Sequence, residues 1–270
     1  MEHLSTVQLI RNSMFKLIFE LIGTAFLTLA FSGSLYRPVG KVADMMFYMP
    51  NFPMNQTTIL LTLWVLTIFG IKISGAHYNP AISFAFMLRK DVGNFPRPLA
   101  LAYIVAQCLG GFLGALVSWF LRVDPMQAGG VRVVGDTGAN VFAAMVAEGM
   151  GSFLVVFFYL HQTEAKTVFS KEKAINCFII ASSYVGARAM LHGTTHTYSG
   201  AVLNPAIAIG TNICQLFANA GDFKWVWIYT GFPFIGAITA VLFHEFVFKK
   251  TQEVLMEADG EDEDDNLLDK

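Results

Sequence analysis

Apolar residues occur along the chain in long runs separated by short polar segments. Six runs come close to the ~20 residues that a helix needs to cross the hydrocarbon layer, and they cover residues 15–36, 57–73, 99–121, 140–160, 174–191 and 225–248. Two further apolar runs, at residues 79–88 and 204–216, are too short to span. The pattern predicts an all-α membrane protein with six transmembrane helices and two re-entrant half-helices that return to the side they entered from.

The two short runs begin with related sequences. Residues 74–81 are Ser-Gly-Ala-His-Tyr-Asn-Pro-Ala, and residues 199–206 are Ser-Gly-Ala-Val-Leu-Asn-Pro-Ala. Asn is a strong N-cap and Pro suits the first helical position, so a helix is expected to start directly after Asn79 and after Asn204. The first backbone N–H groups of each helix then lack intrahelical partners and carry the positive end of the helix dipole.

The two halves of the chain repeat each other beyond these octapeptides. Residues 19–27, around Glu20, resemble residues 147–154, around Glu148, and each segment precedes its Asn-Pro-Ala by a similar distance. Three spans and one half-helix, occurring twice, give the second half an inverted orientation because three is an odd number. Inverted repeats with broken helices place a site near the membrane midplane, where the two half-helix N-termini meet.

The composition agrees with a membrane protein and excludes several other classes. Hydrophobic residues make up 54% of the chain and charged residues 14%, against about 25% charged residues in ordinary globular domains. The net charge of -2 offers no support for nucleic-acid binding. No nucleophile–base arrangement, metal-ligand cluster or phosphate-binding glycine loop is evident, so we expect neither an enzyme nor a cofactor or metal. The three cysteines, Cys108, Cys177 and Cys214, are interpreted as small buried hydrophobes.

The repeated Ser-Gly-Ala-x-x-Asn-Pro-Ala sequence resembles the signature of the aquaporins, the major intrinsic protein family of water and small-solute channels. The resemblance extends from about Phe15 to about Phe248. It implies a passive channel for water or small neutral solutes of the glycerol, ammonia and hydrogen peroxide class, embedded in a lipid bilayer as a homotetramer. The residues that it assigns to the pore centre are Asn79, Pro80, Ala81, Asn204, Pro205 and Ala206, and the residues that brace the re-entrant loops are Glu20, Glu148 and His77.

The resemblance also implies a selectivity filter, and here the chain departs from the family. Counting from the two Asn residues places the filter at Ile59, His192, Ala201 and Ile207. The family usually has Arg where this chain has Ile207, so the set lacks the fixed positive charge and its donors as well as the usual aromatic residue. We therefore expect a less polar filter that discriminates less against larger or less polar solutes.

Arg188 is a candidate for the missing charge. It precedes His192 by four residues, which places the two one helical turn apart on a similar face. Its side chain could project into the pore, pair with a glutamate, or face a neighbouring subunit, and the sequence leaves these alternatives open.

Charged residues between the spans predict the orientation and the domain limits. Lys and Arg are more numerous on the side that carries both termini, which favours cytoplasmic termini. The expected organisation is a cytoplasmic N-terminus at 1–14, a channel domain at 15–248 with halves at 15–121 and 140–248, and an acidic tail at 249–270 that we expect to be disordered.

Two other functions deserve comparison with a passive channel. An active transporter would need carboxylates in the pore, and the sequence offers only Glu20 and Glu148. The second alternative is a structural subunit of a larger membrane complex, with a pore closed or narrowed by Ile207, Arg188 and the abundant Phe. Solute flux separates the alternatives, because a structural subunit predicts none.

Overall fold

The structure, a computed structural model, describes residues 6–34, 51–89, 95–121, 131–133, 137–192, 199–216 and 220–257. Within them the helices are α1 (Thr6–Asn12), α2 (Met14–Ser34), α3 (Asn51–Gly70), α4 (Pro80–Leu88), α5 (Arg97–Phe120), α6 (Gly138–Thr163), α7 (Lys173–His192), α8 (Pro205–Gln215) and α9 (Val226–Phe243). A 3-10 helix at Ala220–Trp225 precedes α9, and a π-helical turn at His244–Phe248 follows it. The described residues contain no strand, as the sequence predicted.

The long helices match the predicted spans, with differences at their ends. Five described helices are long and apolar enough to cross a membrane, while the apolar stretch of α3, Gln56–Gly70, is shorter. Helix α3 ends at Gly70, three residues before the predicted end of the second span at 73. Helical backbone continues beyond α9 to Glu257, past residue 249, where the acidic tail was expected to begin. Residues 258–270 lie outside the described part.

Helix contacts follow a two-fold pattern that relates the halves. Helix α2 packs on α5 and α3 in the first half, as α6 packs on α9 and α7 in the second. The half-helices interlock the halves, because α4 contacts α9 and α8 contacts α5. The symmetric pair α3 and α7 closes the arrangement at its centre. Each helix contact in the first half therefore has a counterpart in the second half. With three spanning helices in each half, this arrangement is the inverted repeat predicted from the sequence.

Glycines allow the half-helices to approach the spanning helices closely. A Cβ at Gly111 of α5 would collide with the carbonyl oxygen of Ala206 in α8, and a Cβ at Gly210 would collide with the backbone of Gly111. Backbone contact of this kind is available only to the smallest residues, and it is a common way for membrane helices to pack. It places the N-terminus of α8 at a fixed depth inside the bundle.

Candidate functional site

The two segments that precede the half-helices share an unusual backbone conformation. Gly75, Ala76 and Tyr78 have positive φ values of 93°, 58° and 47°. Their counterparts Gly200, Ala201 and Leu203 have values of 78°, 47° and 56°. A non-glycine residue in the left-handed region costs about 1–2 kcal/mol, so surrounding contacts must hold both segments in place.

Glu20 supplies these contacts to the first segment. One carboxylate oxygen accepts hydrogen bonds from the Ser74 hydroxyl at 2.6 Å and the His77 N–H at 3.0 Å. The other accepts from the Tyr78 N–H at 2.7 Å and the Gln107 amide at 2.8 Å. Consecutive backbone N–H groups that converge on one anion are a recurrent way to bind a negative charge. The carboxylate is fully buried and fully hydrogen-bonded.

Glu148 holds the second segment in the same way. Its two oxygens accept from the N–H groups of Val202 at 2.9 Å and Leu203 at 2.8 Å. Two tyrosine hydroxyls complete the correspondence, since Tyr103 donates to the Ser74 carbonyl and Tyr229 to the Ser199 carbonyl. The repeat detected in the sequence is therefore also a repeat of hydrogen bonds.

Asn79 and Asn204 each cap a half-helix and contact the opposite segment. The side-chain oxygen of Asn79 accepts from the Ala81 N–H at 2.9 Å, and that of Asn204 accepts from the Ala206 N–H at 3.0 Å. Pro80 and Pro205 begin the two helices, as predicted. The Nδ2 group of Asn79 donates to the Leu203 carbonyl at 2.8 Å, and that of Asn204 donates to the Tyr78 carbonyl at 2.9 Å. The two amides thus tie the segments together at the centre of the molecule.

A small cavity lies between the two asparagines. This central cavity has a volume of about 20 Å³, close to the space needed for one water molecule. Its wall combines apolar side chains with a few polar groups, and it consists of Leu27, Leu63, Ala76, His77, Asn79, Ile82, Val155, Tyr159, Ile180, Tyr184 and Asn204. The Tyr184 hydroxyl is occupied, because it donates to the Val202 carbonyl at 2.7 Å.

A much larger cavity, the wide cavity, lies towards the face where α4 ends at Arg89. Its volume is about 450 Å³, and Lys72, Lys171 and Lys173 are among the residues that line it. His77 and Tyr159 belong to the walls of both cavities and therefore stand between them. The Tyr159 hydroxyl donates to the Gly75 carbonyl. The His77 ring lies 3.0 Å from the Ser83 hydroxyl through Nδ1 and contacts neighbouring aromatic rings.

The residues predicted for the filter are only partly brought together. Ile59, Ala201 and Ile207 are buried, and none of them lines the central cavity. His192 ends α7, and its side chain lies outside the described part. The residue that contacts this region is Arg188, whose Nη1 donates to the Ala201 carbonyl at 2.9 Å.

Arg188 also contacts two residues that the sequence analysis did not single out. Its Nε donates to the Gln56 side-chain oxygen at 3.3 Å, and its guanidinium carbon lies 4.2 Å from the Phe31 ring centre. Gln56 precedes Ile59 by three residues, about one helical turn. Phe31 follows Leu27 by four residues, and Leu27 lines the central cavity. The spacing from Ile59 was a signal available in the sequence for Gln56, whereas the position of Phe31 becomes informative only once the structure places Leu27 in the cavity wall.

Charged residues cluster on the Arg89 face. Arg89 pairs with Glu164 at 2.6 Å and with Glu245 at 2.8 Å, and Lys249 pairs with the same glutamates at 2.8 and 2.9 Å. Glu164, His244 and Glu245 lie close enough to hold a metal ion. Each carboxylate already faces two cations, however, so the geometry is that of an ion-pair network. It joins the ends of α4 and α6 to the helical segment that follows α9.

Comparison with known proteins agrees with this architecture. A family model described as Major intrinsic protein matches residues 4–244. The Arabidopsis thaliana protein named Probable aquaporin PIP2-8 is 32% identical over 190 residues, which are 69% of this chain and 65% of that protein. Aquaporin PIP2-1 of the same species is 31% identical over 193 residues, 69% of this chain and 63% of that protein. The chain thus matches slightly less than two thirds of the length of these relatives.

A solved structure gives the same result for the fold. The X-ray structure of the aquaglyceroporin from Plasmodium falciparum superposes with a TM-score of 0.73 at 16% identity, covering 90% of this chain and 99% of that one. At this identity the likeness shows the fold alone. The family match over residues 4–244 shows that the chain belongs to the major intrinsic protein family, and the two capped half-helices agree with it.

Proposed function

We propose that the protein is a passive transmembrane channel for water and small neutral solutes. The observation that carries this proposal is the central cavity of about 20 Å³ with the amides of Asn79 and Asn204 in its wall. Each Nδ2 has two N–H groups, and one of them is used by the opposite segment. The second N–H of each amide can donate to the oxygen of a water or hydroxyl group that passes between them.

The charge distribution around this point favours neutral solutes. The N-termini of α4 and α8 both meet at the central cavity, and each helix end is equivalent to about half a positive charge. Two such ends raise the energy of a passing cation and orient a water molecule with its oxygen towards the asparagines. The surrounding wall is mainly apolar, so it offers few alternative hydrogen bonds to an ion that has lost its hydration shell.

Glu20 and Glu148 are proposed to brace the loops and not to carry protons. Both carboxylates are buried, and their oxygens are occupied by the hydrogen bonds that hold the left-handed backbone. Neither residue lines the central cavity. For the same reason we propose a passive channel and not an active transporter.

Sidedness and assembly extend the proposal. The excess of Lys and Arg between the spans supports a cytoplasmic Arg89 face with both termini on that side. We further propose a homotetramer with one pore in each subunit, as the family resemblance implies. Apolar side chains such as Phe26, Val105 and Leu113 are exposed on the described surface, where lipid or neighbouring subunits would cover them.

The proposal is tested by reconstituting the purified chain in liposomes and measuring water flux by stopped-flow light scattering. We expect shrinkage faster than that of empty liposomes, and slower water flux in Asn79→Ser, which retains an N-cap side chain but loses the amide donors. Glycerol, ammonia and hydrogen peroxide uptake then define the solute range. A folded protein with no flux above empty liposomes would contradict the channel and favour the structural-subunit alternative.

A further inference from the structure

We propose that Arg188, together with Gln56 and Phe31, forms the charge-selecting constriction of this channel, so that the fixed cation is supplied by α7 and not by the residue after the second Asn-Pro-Ala. This inference rests on the proposed channel function. It concerns which residues reject cations, and it can fail even if the protein conducts water.

Helical spacing places these three residues just beyond one end of the central cavity. Leu27 of α2 and Tyr184 of α7 line the cavity, and Phe31 and Arg188 follow them by four residues, one turn further along each helix. Helix α3 runs in the opposite direction, so its earlier residues lie towards the same end. Gln56 accordingly precedes the cavity-lining Leu63 by two turns.

The contacts of the Arg188 side chain show that these three residues lie close together. Gln56 and the Ala201 carbonyl both accept from the Arg188 guanidinium, at 3.3 and 2.9 Å. The guanidinium carbon stacks over Phe31 at 4.2 Å, with the Tyr184 ring centre 6.0 Å away. Four segments that are distant in sequence therefore surround one cation at the end of the cavity opposite the wide cavity.

Arg188 remains a net positive charge in this position. It is 1% exposed, which excludes the alternative that its side chain faces a neighbouring subunit. No described carboxylate lies within ion-pair distance of its guanidinium, so its described neighbours are a carbonyl, an amide and two aromatic rings. These groups solvate the charge, and the buried Glu148 carboxylate acts on it only from beyond ion-pair distance. A buried cation without an ion-pair partner among the described residues raises the energy of any other cation that approaches through a medium of low dielectric.

The same geometry explains how Ile207 can stand where the family usually has Arg. Ile207 is fully buried, three residues into α8, and belongs to the same apolar cluster as Ala201. The Ala201 carbonyl already accepts a hydrogen bond from the guanidinium of Arg188 in α7. A second arginine at position 207 would add a like charge to this region, whereas an aliphatic side chain adds none. The charge is thus relocated, and the expectation of a filter without an arginine does not follow from Ile207 alone.

The test measures water flux and cation leak on the same proteoliposomes. Arg188→Leu removes the charge and the guanidinium donors and leaves a shorter apolar side chain, and Met190→Ala, a 60% exposed position on the same helix, serves as the matched control. We expect Arg188→Leu to retain water flux and to raise proton and potassium leak by about 10-fold or more, because a unit charge about 6 Å away changes a crossing barrier by at least that factor. Met190→Ala should leave both quantities unchanged.

One further variant keeps the inference falsifiable if Arg188→Leu fails to fold, and a second variant tests rescue of the lost charge. Gln56→Glu is nearly isosteric and places a carboxylate at the atom that now accepts from Arg188, so it should neutralise the cation and produce the same leak. Arg188→Leu combined with Ile207→Arg should restore cation exclusion. Folded Arg188→Leu or Gln56→Glu protein that conducts water and excludes cations as the wild type does would overturn the inference. Absence of water flux in the wild type would instead overturn the channel proposal.

Discussion

Replacement of Glu20 by glutamine tests whether this buried carboxylate braces the first loop or carries protons. The substitution keeps the shape of the side chain and removes its charge. One of its two oxygens becomes an N–H donor, and each oxygen currently accepts from two donors. The Ser74 hydroxyl and the Gln107 amide can reorient to accept from that new donor. The backbone N–H of His77 or of Tyr78 cannot, so one of them loses its partner.

The expected loss of stability follows from the single backbone N–H group that is left without an acceptor. A buried donor without a partner destabilises by about 1–3 kcal/mol, and each kcal/mol lowers the melting temperature of a chain of about this size by about 2–4 °C. We therefore expect Glu20→Gln to lower the melting temperature by about 2–12 °C. Glu20→Leu should cost about twice as much, because both backbone N–H groups then lose their acceptor while Ala76 and Tyr78 keep their left-handed conformations.

The assay combines thermal unfolding of the purified protein, followed by tryptophan fluorescence, with water and proton flux in liposomes. Bracing predicts a less stable Glu20→Gln protein whose water flux per folded channel and proton leak stay close to the wild type. Glu148→Gln is the corresponding variant in the second half of the chain, because the Glu148 carboxylate accepts hydrogen bonds from the N–H groups of Val202 and Leu203. Unchanged stability together with a lost pH dependence of transport would refute the bracing role and favour proton carriage.

Three further predictions concern the path through the molecule. Asn204→Asp retains the cap on Ala206 but places a negative charge at the central cavity, so cation leak should rise while the protein still folds, as measured by ion flux in liposomes. Tyr159→Ala removes the ring that separates the two cavities and frees the Gly75 carbonyl, so stopped-flow water flux should increase. Gly111→Val places a Cβ against the Ala206 carbonyl, and size-exclusion chromatography should show little or no folded protein.

Each of these three predictions has a defined contradictory result. Folded Asn204→Asp protein with wild-type cation exclusion would mean that the charge at the asparagines does not affect selectivity. Equal or slower water flux in folded Tyr159→Ala would show that Tyr159 does not restrict the path. Well-folded Gly111→Val protein in normal yield would show that α5 and α8 can separate without loss of the bundle.

The ion pairs on the Arg89 face could not be predicted from the sequence. Arg89, Glu164 and Lys249 are far apart along the chain; Arg89 and Glu164 lie at the ends of α4 and α6, and Lys249 lies in the helical segment that follows α9. Charged residues at helix ends are expected at a membrane boundary, whichever partners they find. The four charged residues, which include Glu245, come together only because α4, α6 and the helical segment after α9 pack against one another.

Local chemistry made the centre of the fold predictable from the sequence. The starts of α4 and α8 follow from Asn-Pro, because an N-cap and a proline at the first helical position act within a few residues. The inverted repeat follows from counting spans, since the side on which a segment emerges depends only on the number of crossings. The resemblance to the aquaporins also implied the role proposed for Glu20 and Glu148, whose spacing from the Asn-Pro-Ala sequences is repeated.

Only the tertiary structure showed which side chains surround the end of the central cavity at Arg188. A helix that is apolar around most of its circumference gives no sequence signal for which face meets the cavity, so the direction of Arg188 stayed open and Gln56 and Phe31 were not singled out. Counting residues from Asn204 assigned Ile207 to the filter but could not show that Arg188 of α7 donates to the Ala201 carbonyl. The sequence determined where the two half-helices begin and which segments form the long apolar helices. The packing of α2, α3 and α7 decided which side chains meet, because contacts between residues distant in sequence depend on helix rotation and depth.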